Sequence, residues 1–140
     1  MNYEIAPLKS VGAFVFGMSP EQVRQVSGHL YQSFLRTPSS KHPCDYFPEI
    51  GIFANYTIEG KLEAIEFATP ARPILDTVSL LELSFDKVKS FLSVRDNAIE
   101  IEVDGVISHK LGVSFYAPFA KENVEKSCES MMAFVKGYYD

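Results

Sequence analysis

No stretch of this 140-residue chain is apolar for long enough to cross a bilayer as a helix. The opening Met1-Asn2-Tyr3-Glu4-Ile5 has neither the basic start nor the long apolar core of a secretory signal, so a cytoplasmic location is expected. Cysteine is scarce. Cys44 and Cys128 are the only two, and in a cytosolic setting they are expected as free thiols. Basic charge is also short, with 13 Lys and Arg against 18 Asp and Glu and a formal net charge of −5. That balance disfavours nucleic-acid binding, which needs a basic patch, and suits a basic protein partner. The three histidines form no acid–base set with a paired carboxylate.

Hydrophobic residues make up 46% and charged residues 22%, the balance of a folded chain and not of a disordered one. One domain over residues 1–140 is expected, large enough to bury a core without staples.

The clearest local signal is residues 16–28. Ser19 suits an N-cap, Pro20 the first helical position, Gln22 the capping-box position, and Gly28 the stop. Val23 and Val26 give the buried stripe. Gly17 before this helix, with no lysine nearby, makes a poor phosphate loop. Val11 to Phe16 is expected as the strand leading in, and residues 29–49, with Pro38, Pro43 and Pro48, as a long irregular loop.

Farther on, Ile52 to Ile58 and Leu62 to Ala68 predict a hairpin turning at Glu59-Gly60, ended by Pro70 and Pro73. Ser84 to Leu92 predicts a capped helix with Phe85, Val88, Phe91 and Leu92 on one face. Ile99 to Val103 and Leu111 to Tyr116 read as strands. The tail fits either a helical stripe or a strand at about 129–136. An internal comparison favours the strand. Ser19 to Val23 is similar to Ser84 to Val88, Gly51 to Tyr56 to Gly112 to Tyr116, and Leu62 to Phe67 to Glu129 to Phe134. The expected class is therefore α+β: an antiparallel sheet with two helices on one face, built from pseudo-repeat halves of about 11–70 and 80–140. Its other face is left open as a binding surface.

Chemistry-bearing residues are few. His42-Pro43-Cys44-Asp45 mixes the right types, but its neighbours are too close in sequence for a cysteine–histidine nucleophile and too few for a metal site. Glu63 and Glu66 fall on opposite faces of a strand and form no glycosidase-like dyad. No pattern calls for a cofactor. Glu100, Glu102 and Asp104 alternate with Ile99, Ile101 and Val103, which sets three carboxylates on one face and the apolar residues toward a core. The carboxylates read either as a solvated strand face or as an acidic docking stripe for a basic partner. Tyr46 and Phe47 beside Asp45, with Tyr138 and Tyr139, add candidate aromatic anchors, the alternative being that Phe47 and one tyrosine plug the core edge.

Phe16-Gly17-Met18-Ser19-Pro20-Glu21-Gln22-Val23, ending at Gly28, resembles the opening of the beta-lactamase-inhibitor-like and BamE-like superfamily. That resemblance implies a helix and strand module, sometimes in tandem, serving structure or assembly. Phe134 to Asp140 and the Gly112 to Tyr116 strand are similar to cytosolic toxin-immunity proteins of bacteria. This second resemblance implies a non-enzymatic inhibitor that occludes the active site of a basic toxin domain. Asp45, Tyr46, Glu100, Glu102 and Asp104 are the expected contacts. The alternative expectation is an assembly module acting as a homodimer through an exposed sheet edge.

Overall fold

The structure is a computed structural model that describes residues 2–35, 37–38 and 43–139. Among them are thirteen strands, two α-helices and one 3-10 turn. In chain order they are β1 (Asn2–Ala6), β2 (Ser10–Val11), β3 (Phe14–Val15), α1 (Pro20–Ser27), β4 (Gln32–Phe34), β5 (Cys44–Phe47), β6 (Ile52–Tyr56) and β7 (Leu62–Phe67). Next come β8 (Arg72–Leu75), β9 (Val78–Ser79), the turn Leu80–Glu82, α2 (Phe85–Arg95), β10 (Glu100–Glu102), β11 (Gly105–Ser108), β12 (Val113–Tyr116) and β13 (Ser130–Phe134). The α+β class with antiparallel pairing is as expected.

Local chemistry explains both helices. Ser19 Oγ accepts the Gln22 N–H at 3.2 Å while the Gln22 side chain accepts the Ser19 N–H at 2.9 Å, a reciprocal capping box. Gly28 closes α1 at φ 67°, and its N–H reaches the Arg24 carbonyl at 3.1 Å. Ser84 caps α2 through the Lys87 N–H at 3.2 Å. We expect Ser19→Ala to lower stability by about 1 kcal/mol in denaturant melts, because it removes the hydroxyl that accepts the Gln22 N–H while leaving the Ser19 N–H bond to Gln22 in place. An unchanged midpoint would show the box to be idle.

The larger sheet has eight strands in the order β10-β11-β12-β13-β7-β6-β5-β4, every pair antiparallel. Each helix is thus followed by four strands that pair in chain order. The two sets meet side by side at β7 and β13, where Met131 faces Phe67, Met132 faces Glu66 and Ala133 faces Ile65. Two glycine turns share geometry. Gly51 (φ 68°) donates to the Phe47 carbonyl at 3.0 Å and accepts from the Ala68 N–H at 2.9 Å. Gly112 (φ 66°) donates to the Ser108 carbonyl at 2.9 Å and accepts from the Phe134 N–H at 2.9 Å.

The smaller sheet runs β3-β2-β1-β8-β9, with β1 and β8 parallel. One buried cluster joins it to the larger sheet: Tyr3, Ile5, Val11 and Phe14 pack with Ile52, Ile65, Phe67, Val113 and Phe115. Tyr3 and Phe67 approach with ring centroids 5.8 Å apart. Val23 of α1 and Phe85, Val88 and Leu92 of α2 belong to the same cluster.

Several expectations are corrected. The strand expected over Val11 to Phe16 is a hairpin of two short strands, because Gly12 (φ 56°) reverses the chain. The expected loop 29–49 contains β4 and β5. The β6–β7 hairpin ends before Pro70 as expected, and Pro73 then sits in β8 of the smaller sheet, opposite Tyr3. The β9 ladder begins only at Ile74, so the missing N–H leaves no gap there. Ile101 and Val103 do not face the core. They are 61% and 71% exposed, since β10 is an edge strand with nothing packed over either residue. The tail forms a strand, β13.

Candidate functional site

Cross-strand partners share a sheet face. One continuous row therefore crosses all eight strands: Gln32, Tyr46, Phe53, Glu66, Met132, Ser114, Ile107 and Glu100. No member of this row is buried. On the opposite face the row Phe47, Ile52, Phe67, Met131, Phe115 and Val106 is buried throughout. One face is thus packed and the other open along its middle.

The open face has two chemistries. On the β4–β6 side it is aromatic. Tyr46 stacks on Phe53 with centroids 4.3 Å apart and planes 18° apart, and Phe34 meets Phe53 edge-on at 6.1 Å. On the β10–β13 side it is acidic. A depression of about 200 Å³ is lined there by Glu66, Glu102, Asp104, Gly105, Ser114, Tyr116, Ser130, Met132 and Tyr139. Gly105 forms part of the floor and has no room for a β-carbon, which would collide with the Phe115 carbonyl oxygen. The lining carries three carboxylates and no lysine or arginine. An adjoining recess of about 750 Å³ adds Glu100, His109, Lys110, Phe134 and Lys136. His109 Nε2 lies 3.3 Å from Glu100 Oε1. The chain end folds over this recess: Tyr139 packs edge-on against Phe134 at 5.1 Å and His109 at 5.7 Å, and its hydroxyl reaches Ser114 Oγ at 3.3 Å.

The expected contact residues therefore divide. Glu100, Glu102 and Asp104 are exposed at the open face, and Glu102 and Asp104 share the depression with Glu66. Tyr46 lies on the same face, half-buried under its stack with Phe53. Asp45 does not join them. It is fully buried on the packed face, so its expected role as a contact is corrected to a structural one. Arg24 grips it with two bonds, Nε to Oδ2 at 2.8 Å and a terminal guanidinium nitrogen to Oδ1 at 3.0 Å. Ser33 donates to Oδ1 at 2.6 Å and Tyr56 to Oδ2 at 2.7 Å. Burial alone would raise the Asp45 carboxyl, but the bonds from Arg24, Ser33 and Tyr56 outweigh it and hold the group below the usual aspartate value. Burial, then the bond to Asp45, pushes the Tyr56 phenol upward.

Glu66 and Tyr116 were missed by sequence reasoning as site residues. Alternation along β7 and β12 assigns their face, but only the long-range ladder brings that face beside Glu102. The mixed His/Cys/Asp stretch is not one cluster. Cys44 and Asp45 are successive strand residues that point to opposite faces, and His42 lies outside the described residues. Cys44 Sγ donates to Asn55 Oδ1 at 2.9 Å. Both cysteines are buried and unbridged, and burial pushes the Cys128 thiol up to about 11. Among the described residues, no three His, Cys, Asp or Glu side chains are grouped to hold a metal ion. No helix among them is long and apolar enough to cross a membrane.

Comparison with protein-family models, with curated proteins and with solved structures finds no match to this chain.

Proposed function

We propose that this chain is a non-enzymatic protein-binding module, an immunity protein that acts in the bacterial cytoplasm by covering the basic active site of a cognate toxin with its open sheet face. The uncovered eight-strand row supports this reading, with three carboxylates gathered beside it and aromatic rings at its other end. Carboxylates of one sign around a concave surface steer a basic partner into encounter and set its register. Tyr46 and Tyr116 supply apolar area with a polar tip, the usual composition of an interface anchor. A floor of small residues leaves room for a long cationic side chain from the partner.

The same reading takes the chain as a tandem duplication of one helix-plus-four-strand unit, with both helices over the face opposite the acidic depression. Support comes from the paired glycine turns and from the antiparallel β7–β13 ladder at which the two units meet. Shared burial of Val23 with Phe85, Val88 and Leu92 agrees with it.

The test is co-expression with the protein encoded beside this chain. A tight complex and rescued growth are expected. Reversing the stripe with Glu100→Lys, Glu102→Lys and Asp104→Lys should weaken the complex at least about tenfold, roughly 1.4 kcal/mol, with most of the loss in association rate at low salt. Growth unaffected by the neighbour, or a complex indifferent to the triple reversal, would remove this function.

A further inference from the structure

The eight-stranded sheet ends in two strands of opposite character. At β10 the edge carries Glu100 and Glu102, with Asp104 just beyond. Charges of one sign on an edge keep another copy of the same strand away. At β4 that protection is missing. Between Arg24 and Arg36 the sequence contains no Asp, Glu, Lys or Arg. Instead Leu30 is 78% exposed and Leu35 50%, with Tyr31 and Phe34 also exposed between them. An edge strand of this composition is a template for pairing.

We propose that a second copy of this chain pairs at β4, antiparallel, about a two-fold axis normal to the sheet. Charge selects this occupant. Two chains of net charge −5 repel, so a self-contact is favoured where the seam is neutral, and β4 supplies a neutral edge where β10 does not. Register also fits. Antiparallel pairing centred on Ser33 sets Tyr31 of one copy opposite Leu35 of the other, and Gln32 opposite Phe34. These are apolar and mixed pairs with no like charges facing. The chain already contains a junction of this kind. At β7 and β13, two helix-plus-four-strand sets meet edge to edge in an antiparallel ladder that runs from Phe67–Met131 to Ala64–Phe134. Pairing at β4 would extend that sheet across the two-fold axis. Both acidic depressions would stay at the far ends, so the inference stands apart from the toxin-inhibitor reading.

Sedimentation or light scattering of the full chain at micromolar concentration reads the outcome. A dimer is expected. Leu35→Glu should raise its dissociation constant at least about tenfold. Phe34→Glu, exposed and opposite Gln32 in this register, should do the same, with the thermal melt as the check on folding. Ile101→Glu at the opposite edge should leave the dimer intact. A monomer at every concentration, a dimer that withstands both Leu35→Glu and Phe34→Glu, or one that Ile101→Glu dissolves, would overturn the proposal.

Discussion

Arg24→Ala is expected to destabilise the fold by about 4 kcal/mol and Asp45→Ala by about 3 kcal/mol, the range for breaking a buried ion pair by removing one partner. The order follows from exposure. The Asp45 side chain is wholly buried, whereas that of Arg24 keeps 27% of its surface in water. Removing Asp45 lets the guanidinium recover solvent, though it also removes the acceptor of the Tyr56 hydroxyl bond. Removing Arg24 leaves a buried carboxylate with only Ser33 and Tyr56 to stabilise it. Tyr56→Phe, which loses one bond to a charged group, should cost about 2 kcal/mol. These groups tie α1, β4, β5 and β6 together, so their effects will not add, and a double-mutant cycle on Arg24 and Asp45 should return a coupling above about 1 kcal/mol. Acid adds a second readout. Asp45 has a depressed folded-state value, so its stabilising contribution is complete above the unfolded aspartate value of about 4 and is lost as pH falls through the lower folded value. Wild type should therefore lose stability below pH ~4 more steeply than Asp45→Asn. Equal acid limbs, or single-variant losses below about 1 kcal/mol, would show the network to be incidental.

The same network marks the limit of what could be read from sequence. Nothing local to Asp45 announces burial: it precedes an aromatic pair in a stretch rich in proline, which suggests an exposed anchor. Its neutralising partner lies 21 positions away on α1, a pairing that only the tertiary fold creates. Strand β5 was hidden for a related reason. Cys44, Asp45 and Phe47 are all buried and only Tyr46 is partly exposed, so four residues show too little alternation to read. Strand β4, Gln-Ser-Phe, is too short to show a period. The parallel pairing of β1 with β8 joins segments some seventy residues apart, beyond the reach of any local pattern. Where local physics decides, the reading succeeded. Caps located α1 and α2, turn chemistry located the β6–β7 hairpin, and period 2 put Glu100 and Glu102 on one face. Alternation could not tell which face of β10 was solvated, because at an edge strand both are.

Gly51→Ala and Gly112→Ala should each cost about 2–5 kcal/mol, by two separable effects. Both glycines sit in the left-handed region, at φ 68° and 66°, where an L side chain adds about 1–2 kcal/mol. Both are also crowded. A β-carbon on Gly51 would collide with the Ala68 carbonyl oxygen, and one on Gly112 would sit 2.7 Å from the Phe134 carbonyl oxygen and 2.6 Å from Leu8 Cδ2. Relief requires moving backbone, since Ala68 and Phe134 are held by their own N–H bonds to Gly51 and Gly112, and forced packing of this kind adds about 1–3 kcal/mol. Gly28 separates the two effects. Its φ is 67°, yet nothing lies within 4 Å of a β-carbon placed there, so Gly28→Ala should show the conformational part alone. Chemical denaturation of the three variants gives the comparison. Gly51→Ala no worse than Gly28→Ala would deny the collision. Similar losses at Gly51 and Gly112 are what two copies of one turn require, and a severe loss at one with a mild loss at the other would count against the duplicated unit.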